Sequence, residues 1–302
     1  MCHIPATSGN EIAMKQFLLY YIKSHVSEWK TKPVIYEGKG FGDNIILVFG
    51  KPRTAIFAHM DNIGFTVRYG KGLVKIGGPV AKSGFQLIGQ DSKGIQEVEL
   101  KVTENKKTGV KKLEYKGKRN FETGTDLSFK PNWRESKDFI QCCYMDNRLG
   151  IYNALKVAET LKNGAIVFST YEEHGGGSVQ YLQKFLQKKY KITQALISDI
   201  SWISDGVKFA KGPVISLRDS LIPRKSFVNK ILSIAKKTNC KYQLEVEGAG
   251  GSDAGPLQMS DNPWDWCFVG AAEENVHTPD EKVHKKDIEA MIKLYQELMK
   301  AL

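Results

Sequence analysis

Ala165-Ile166-Val167-Phe168-Ser169-Thr170-Tyr171-Glu172-Glu173-His174 is an apolar run that ends abruptly in two carboxylates and an imidazole, with Gly175, Gly176 and Gly177 behind them. Ala165 to Phe168 are apolar without interruption and include β-branched and aromatic members. They fit a central strand covered on both faces, where the alternation of a half-exposed strand disappears. The acids then stand at the strand's carboxyl end, the edge at which open α/β sheets bind ligands. Three further apolar runs end alike: Thr54 to Ala58 leads into His59-Met60-Asp61, Ala195 to Ile197 into Ser198-Asp199, and Trp266 to Val269 towards His277. Independent surface ends would not be expected to choose only metal-ligand residue types each time.

The flanking periodicity sets the rest of the architecture. Ser8-Gly9-Asn10-Glu11 predicts an N-cap for a helix whose apolar face is Met14, Phe17, Leu18 and Tyr21. Short strands are expected at Val34 to Glu37 and Asn44 to Phe49. From about Val67 to Phe139 the texture changes to short alternating segments, such as Glu97 to Val102, and to hairpin turns at Gly70-Lys71-Gly72 and Asn105 to Gly109. Helical spacing returns after Asp146-Asn147-Arg148 (Ile151, Ala154, Leu155, Ala158, Leu161) and recurs in the segments containing Val179, Phe227 and Ile288. The fold expected is α/β: a three-layer helix–sheet–helix core with a mostly parallel central sheet, plus a small inserted β domain. The core is assigned to residues 1–66 and 141–302 and the β insertion to residues 67–140.

With 302 residues, 41% hydrophobic and 25% charged, the chain can bury one large core. No apolar stretch approaches the roughly 18 residues of a membrane span. Met1-Cys2-His3-Ile4-Pro5 has no basic leader, so a cytoplasmic protein without membrane contact is expected. Five cysteines, an odd number with no C-x-x-C, argue against both a disulfide framework and a zinc ribbon. The net charge of +11 raises nucleic acid or acidic substrates as partners. The lysines are scattered, however, and no aromatic-interleaved basic motif accompanies them, so no nucleic-acid partner is expected.

The acids and histidines assemble into one constellation, two divalent metal ions held by His59, Asp146, Glu173, Asp199 and His277. Three carboxylates offset most of the charge of two divalent ions, a balance tolerable in a partly dry cleft. Asp61, two residues beyond His59, can accept the other imidazole N–H and fix its tautomer.

In these residues the chain resembles the dinuclear zinc aminopeptidases, particularly the glutamyl and deblocking, or tetrahedral, aminopeptidase group. The matching segments are Ser8-Gly9-Asn10-Glu11, Ala58 to Phe65, Met145-Asp146-Asn147-Arg148, Tyr171-Glu172-Glu173, Ser198-Asp199-Ile200, Gly251-Ser252-Asp253-Ala254 and Val276 to Glu281, in the family's order along nearly the whole chain. The resemblance implies that Asp146 bridges the metals, that His59 and Asp199 complete one site, and that Glu173 and His277 complete the other. It further implies that Glu172 is the general base and that the ions are zinc, with cobalt or manganese as substitutes. The β insertion would cover part of the active-site mouth and take part in a homo-oligomer. Two positions depart from the pattern: Asn62 stands where the group usually has Glu, and Asn147 where it usually has a second Asp. Both bear on substrate preference more than on the metal centre.

Two rival classes are weaker. His174-Gly175-Gly176-Gly177 looks like an oxyanion loop and Gly250 to Ala254 like a nucleophile elbow, but an elbow needs a helix straight after its serine. Gly255-Pro256, with nothing helical expected before Pro263, speaks against one. An inactive scaffold would have lost a member of the base-and-ligand set, and all six residues are present. The same ligand types also serve carboxypeptidases, di- and tripeptidases and other amide hydrolases. Surplus carboxylates suit the α-ammonium of an aminopeptidase substrate, whereas a carboxypeptidase needs a cation for the substrate carboxylate. Asp253 is a spare carboxylate and Arg148 the one cation the motifs bring near, so both are substrate-binding candidates. Arg148 is the poorer anchor, since side chains of successive residues diverge at a helix start. Release of N-terminal residues from peptide substrates is therefore expected, with acidic residues left open.

Overall fold

The computed structural model describes residues 1–302. Helix α1 (Ile12–His25) is followed by strands β1 (Val34–Gly38), β2 (Gly42–Phe49) and β3 (Thr54–His59). Six strands of a separate antiparallel sheet come next: β4 (Gly64–Val67), β5 (Leu73–Ile76), β6 (Gln86–Asp91), β7 (Gly94–Glu104), β8 (Lys111–Lys116) and β9 (Asp126–Phe129). Strands β10 (Arg134–Glu135) and β11 (Phe139–Gln141) lead to α2 (Met145–Ala158), β12 (Gly164–Ser169), α3 (Val179–Tyr190) and β13 (Gln194–Trp202). The chain continues through β14 (Val214–Arg218), α4 (Lys225–Lys237), β15 (Gln243–Val246), α5 (Ala254–Gln258) and β16 (Asp265–Glu274), and closes with β17 (Lys282–His284) and α6 (Lys285–Ala301).

The large sheet is mixed and has 11 strands. At its centre β12, β3, β13 and β16 run parallel. Every residue of β12 and of β3 is buried, as their unbroken apolar character requires. Register aligns the strand ends: Ser169 pairs with His59, and Ile197 with Phe57, which sets Asp199 level with His59. Alternate residues of these strands feed two cores. Ile56, Ile166 and Leu196 join a cluster with α1, α2, α4 and α6, whereas Phe57, Val167 and Ile197 pack with residues of α3 and α5. The first cluster runs on into the smaller sheet through Leu87, Leu127 and Phe129.

The structure differs locally from the periodicity reading. The smaller sheet begins at Gly64, and β10 and β11 rejoin the large sheet, β11 pairing with β17. Short alternating segments carry no local signal of which sheet they will join, because the partner strand is distant in sequence. Helix α1 starts at Ile12, and no side chain caps it. Its fully buried stripe is Met14, Leu18 and Ile22, while Phe17 and Tyr21 are only partly covered. A helical turn, α5, does follow Ser252-Asp253 despite Gly255 and Pro256, because Pro is tolerated in a first turn, where its missing N–H would have no partner. No helix is long and apolar enough to cross a membrane.

Candidate active site

The site forms where the four central strands end. Just past β12, Tyr171 adopts a left-handed φ of 64° and its carbonyl accepts the Gly176 N–H at 2.7 Å, so the chain turns sharply around Glu172 and Glu173. Asp61 holds that turn from the neighbouring strand end. Its Oδ1 accepts the Glu172 N–H and its Oδ2 the Glu173 N–H, both at 3.1 Å, and Ser8 Oγ donates to Oδ2 at 2.6 Å. Ser8 is therefore not a helix cap; it supports Asp61. His277 and Tyr144 also have left-handed φ values, 63° and 67°, so three residues at or next to the site occupy a region that non-glycine residues seldom enter.

Asp146 stands in the irregular first turn of α2 and presents its two oxygens to different imidazoles. Oδ1 lies 3.1 Å from His59 Nε2, and Oδ2 lies 3.3 Å from His277 Nε2. Asp199 Oδ2 joins the first group, 3.5 Å from His59 Nε2, and Glu173 Oε2 the second, 3.3 Å from His277 Nε2. Glu172 Oε2 stands a little further out, 3.8 Å from His59 Nε2.

These contacts need a cation. Each imidazole turns Nδ1 to a backbone carbonyl at 3.2 Å, His59 to Asp61 and His277 to Gly78. With Nδ1–H donating there, a neutral ring presents a lone pair at Nε2. A lone pair facing carboxylate oxygens is repulsive unless a proton or metal ion lies between them. Burial disfavours a charged His277, yet Asp146 and Glu173 push its pKa up to about 11. His59 is likewise raised by Asp199 and Glu172 against its burial. Glu173 Oε1 is buried without any hydrogen-bond partner. The nitrogen and oxygen donors thus fit divalent metal ions.

One residue behind the site carried no weight in the sequence. The buried Glu281 accepts the Asp146 N–H through Oε2 (3.3 Å) and the His277 N–H through Oε1 (3.0 Å), tying two donor residues together. It lies in the matching segment Val276 to Glu281, but a carboxylate that serves backbone N–H groups has no spacing signature.

The sequence candidates do not all reach the cleft. His59, Asp146, Glu172, Glu173, Asp199 and His277 line one recess of about 260 Å³, whereas Asp61, Asp253 and Arg148 do not. Arg148 is buried, and its guanidinium donates to the carbonyls of Met60 and Ile4 and to Asn62 Oδ1. It braces the His59–Asn62 segment and does not line the recess. Asp253 lies beneath the site, accepting from Ser169 Oγ at 2.5 Å, and burial raises its pKa to about 6. His174 Nδ1 accepts the Gly77 N–H at 3.0 Å and so links the acidic turn to the loop after β5. The two departures also have local partners. Asn62 donates to the Ile63 carbonyl, and Asn147 donates to the Ser198 carbonyl while accepting the Gly150 N–H. Ser252 Oγ accepts the Ala254 N–H and contacts no histidine, so the elbow-like segment holds no nucleophile–base pair.

Fold and site together define a metallohydrolase of the α/β class. The model of the M42 glutamyl aminopeptidase family matches residues 95–294, and the chain belongs to that family: it is a metal-dependent aminopeptidase. A provisionally named aminopeptidase of Acetivibrio thermocellus is 27% identical, over 97% of this chain and 94% of its own. Among solved structures, the TET1 peptidase of Pyrococcus horikoshii, described as assembling into a tetrahedron or a large octahedral shell, is 23% identical. It superposes with a TM-score of 0.82 over 99% of this chain and 96% of its own. An aminopeptidase of Desulfurococcus kamchatkensis matches at 20% identity and a TM-score of 0.84, over 99% and 92% of the two chains. These likenesses extend to the whole fold, a mixed α/β architecture around a large mixed sheet.

Proposed function

We propose that this chain removes N-terminal residues from peptides with two divalent ions, zinc foremost and cobalt or manganese as substitutes. His59, Asp146 and Asp199 would hold one ion, and Asp146, Glu173 and His277 the other. The observation that carries this reading is the division of the Asp146 carboxylate, one oxygen to each imidazole. Bound there, the ions would supply a Lewis acid for the scissile carbonyl and would acidify a water. Glu172, turned into the cleft and held by Asp61 through its backbone, would take a proton from the attacking water at a carboxylate oxygen and hand it to the leaving amine. Asp61 would keep both glutamates and His59 in register, and Glu281 would do the same for Asp146 and His277.

The two core clusters support a helix–sheet–helix arrangement, and the separate six-stranded sheet, which runs from Gly64 to Phe129, supports an inserted β unit with bounds somewhat earlier than the 67–140 read from the sequence. The shells described for the Pyrococcus horikoshii protein support a homo-oligomer. The five unpaired cysteines support a reducing, cytoplasmic setting. One peptide offered with free, acetylated or amidated ends tests the direction of cutting. Acetylation of the N-terminus stops the reaction and amidation of the C-terminus does not; the reverse pattern identifies a carboxypeptidase.

A further inference from the structure

Of the seven carboxylates that line the cleft, four are taken up by the ligand and base roles, which leaves Asp219, Glu245 and Glu247 unassigned. They come from the carboxyl ends of the parallel pair β14 and β15. Strand β15 is turned inside out: Gln243 and Glu245 are buried, whereas Leu244 and Val246 are exposed. The fold forgoes burial of two apolar side chains and holds a carboxylate at the cleft, which by itself is unfavourable.

Little counter-charge reaches these acids: Arg218 acts on Asp219 only through its longer-range charge, against the burial that raises the Asp219 pKa. Glu245 is 8% exposed and Asp219 is 6% exposed. Each has one oxygen tied within the protein, Glu245 Oε1 by Ser201 Oγ and Asp219 Oδ1 by the Leu221 N–H. None of the three acids makes an ion pair. No Lys or Arg lines the cleft of a protein whose net charge is +11. Arg218, adjacent in sequence, directs its Nε to the carbonyls of Asp219 and Glu247. Burial raises the pKa of both Asp219 and Glu245, and Asp219 and Glu247 raise Glu245 further. Trp202, 46% exposed, lines the same recess.

We propose that this recess receives the side chain of the substrate's N-terminal residue and selects lysine and arginine. The Trp202 face packs the aliphatic stem, and Asp219, Glu245 and Glu247 meet the cationic end. An acidic N-terminal residue would face three carboxylates and is disfavoured. This inference rests on the aminopeptidase reading of the cleft. The α-ammonium, common to all substrates, is the other cation these acids could meet, and a ratio of substrates separates the two.

The test compares kcat/KM of the metal-loaded enzyme on lysyl-, arginyl-, leucyl- and glutamyl-p-nitroanilide. The wild type is expected to favour the two basic substrates over leucyl, and glutamyl least. In the Asp219→Asn, Glu245→Gln double variant the lysyl-to-leucyl ratio should fall about tenfold or more, the worth of a charge-assisted contact. Because buried positions can fail to fold, Glu247→Lys at the half-buried position provides a second measure and should raise glutamyl relative to lysyl. A wild type that ranks leucyl or glutamyl above lysyl and arginyl overturns the proposal. So does a lysyl-to-leucyl ratio unchanged in both variants, or an equal loss on all four substrates. Hydrolysis of none of the four by the wild type would instead sink the activity reading itself, and this inference with it.

Discussion

Asp61 accepts the backbone N–H of Glu172 through Oδ1 at 3.1 Å and, through Oδ2, the next N–H along, that of Glu173. A single buried carboxylate thereby sets the proposed base and a proposed metal ligand relative to each other, and its own backbone carbonyl accepts from His59 Nδ1. Asparagine offers only one acceptor oxygen, so Asp61→Asn must release one of the two N–H groups or leave it paired with a donor. Outer partners of this kind typically contribute about 10- to 100-fold in activity or metal affinity. A loss of that size in kcat/KM is expected for Asp61→Asn, with a smaller loss for Ser8→Ala. Activity within twofold of wild type in Asp61→Asn would remove Asp61 from the positioning role.

Neighbouring glutamates should respond differently to removal. Glu172→Gln is expected to lower kcat by roughly 10²- to 10⁴-fold, the usual worth of a positioned acid–base group, while metal content stays at the wild-type level. Glu173→Ala is expected to lose metal. Elemental analysis after reconstitution, run beside the assay, distinguishes them. Two equivalents in the wild type are expected, and fewer than one would refute the dinuclear reading.

Packing at the start of α2 should be intolerant of one methyl group. A Cβ at Gly150 would stand 2.0 Å from the Ser198 carbonyl oxygen and 2.2 Å from Asn147 Oδ1. Neither can retreat freely, because Asn147 is itself bound to Ser198 and to the Gly150 N–H. Gly150→Ala should destabilise the fold by about 1–3 kcal/mol through overpacking. Gly248→Ala, where a Cβ meets nothing within 4 Å, serves as the control. Equal urea midpoints for the two variants would contradict the contact.

Glu11 links stability to pH. Its carboxyl is buried with Oε1 accepting the Gly9 N–H at 2.9 Å. Burial, partly offset by that bond and reinforced by Asp61, raises its pKa from 4.5 to about 7. An acid with a raised folded pKa holds its proton more tightly in the fold than in the unfolded chain. The fold therefore loses stability from this group as pH climbs from 4.5 to about 7, and the loss is constant above that. Glu11→Gln should stabilise the protein at pH 8 by about 2–3 kcal/mol and change little at pH 4. Urea denaturation at the two pH values checks this, and an equal effect at both would reject it.

The sequence alone determined the class of fold and most of the candidate centre. A strand buried on both faces must be apolar throughout, so a histidine or carboxylate at its end stands out, and His59, Glu172, Glu173 and Asp199 were legible for that reason. Their neighbours were not. Arg148 is, by sequence, the weaker of two candidate substrate contacts, and the turn of α2 sends it inward to Met60, Ile4 and Asn62. Asp253 looked like a spare acid in the cleft, yet Ser169 holds it beneath the floor. Glu245 carried no signal, because alternation in a short strand does not tell which face is inward, and in β15 the polar face is. Glu281 acts on backbone N–H groups that folding alone brings to it. Residue type and chain order state what a strand end can bind, whereas the direction of a side chain depends on partners distant in sequence, and only the tertiary structure supplies those.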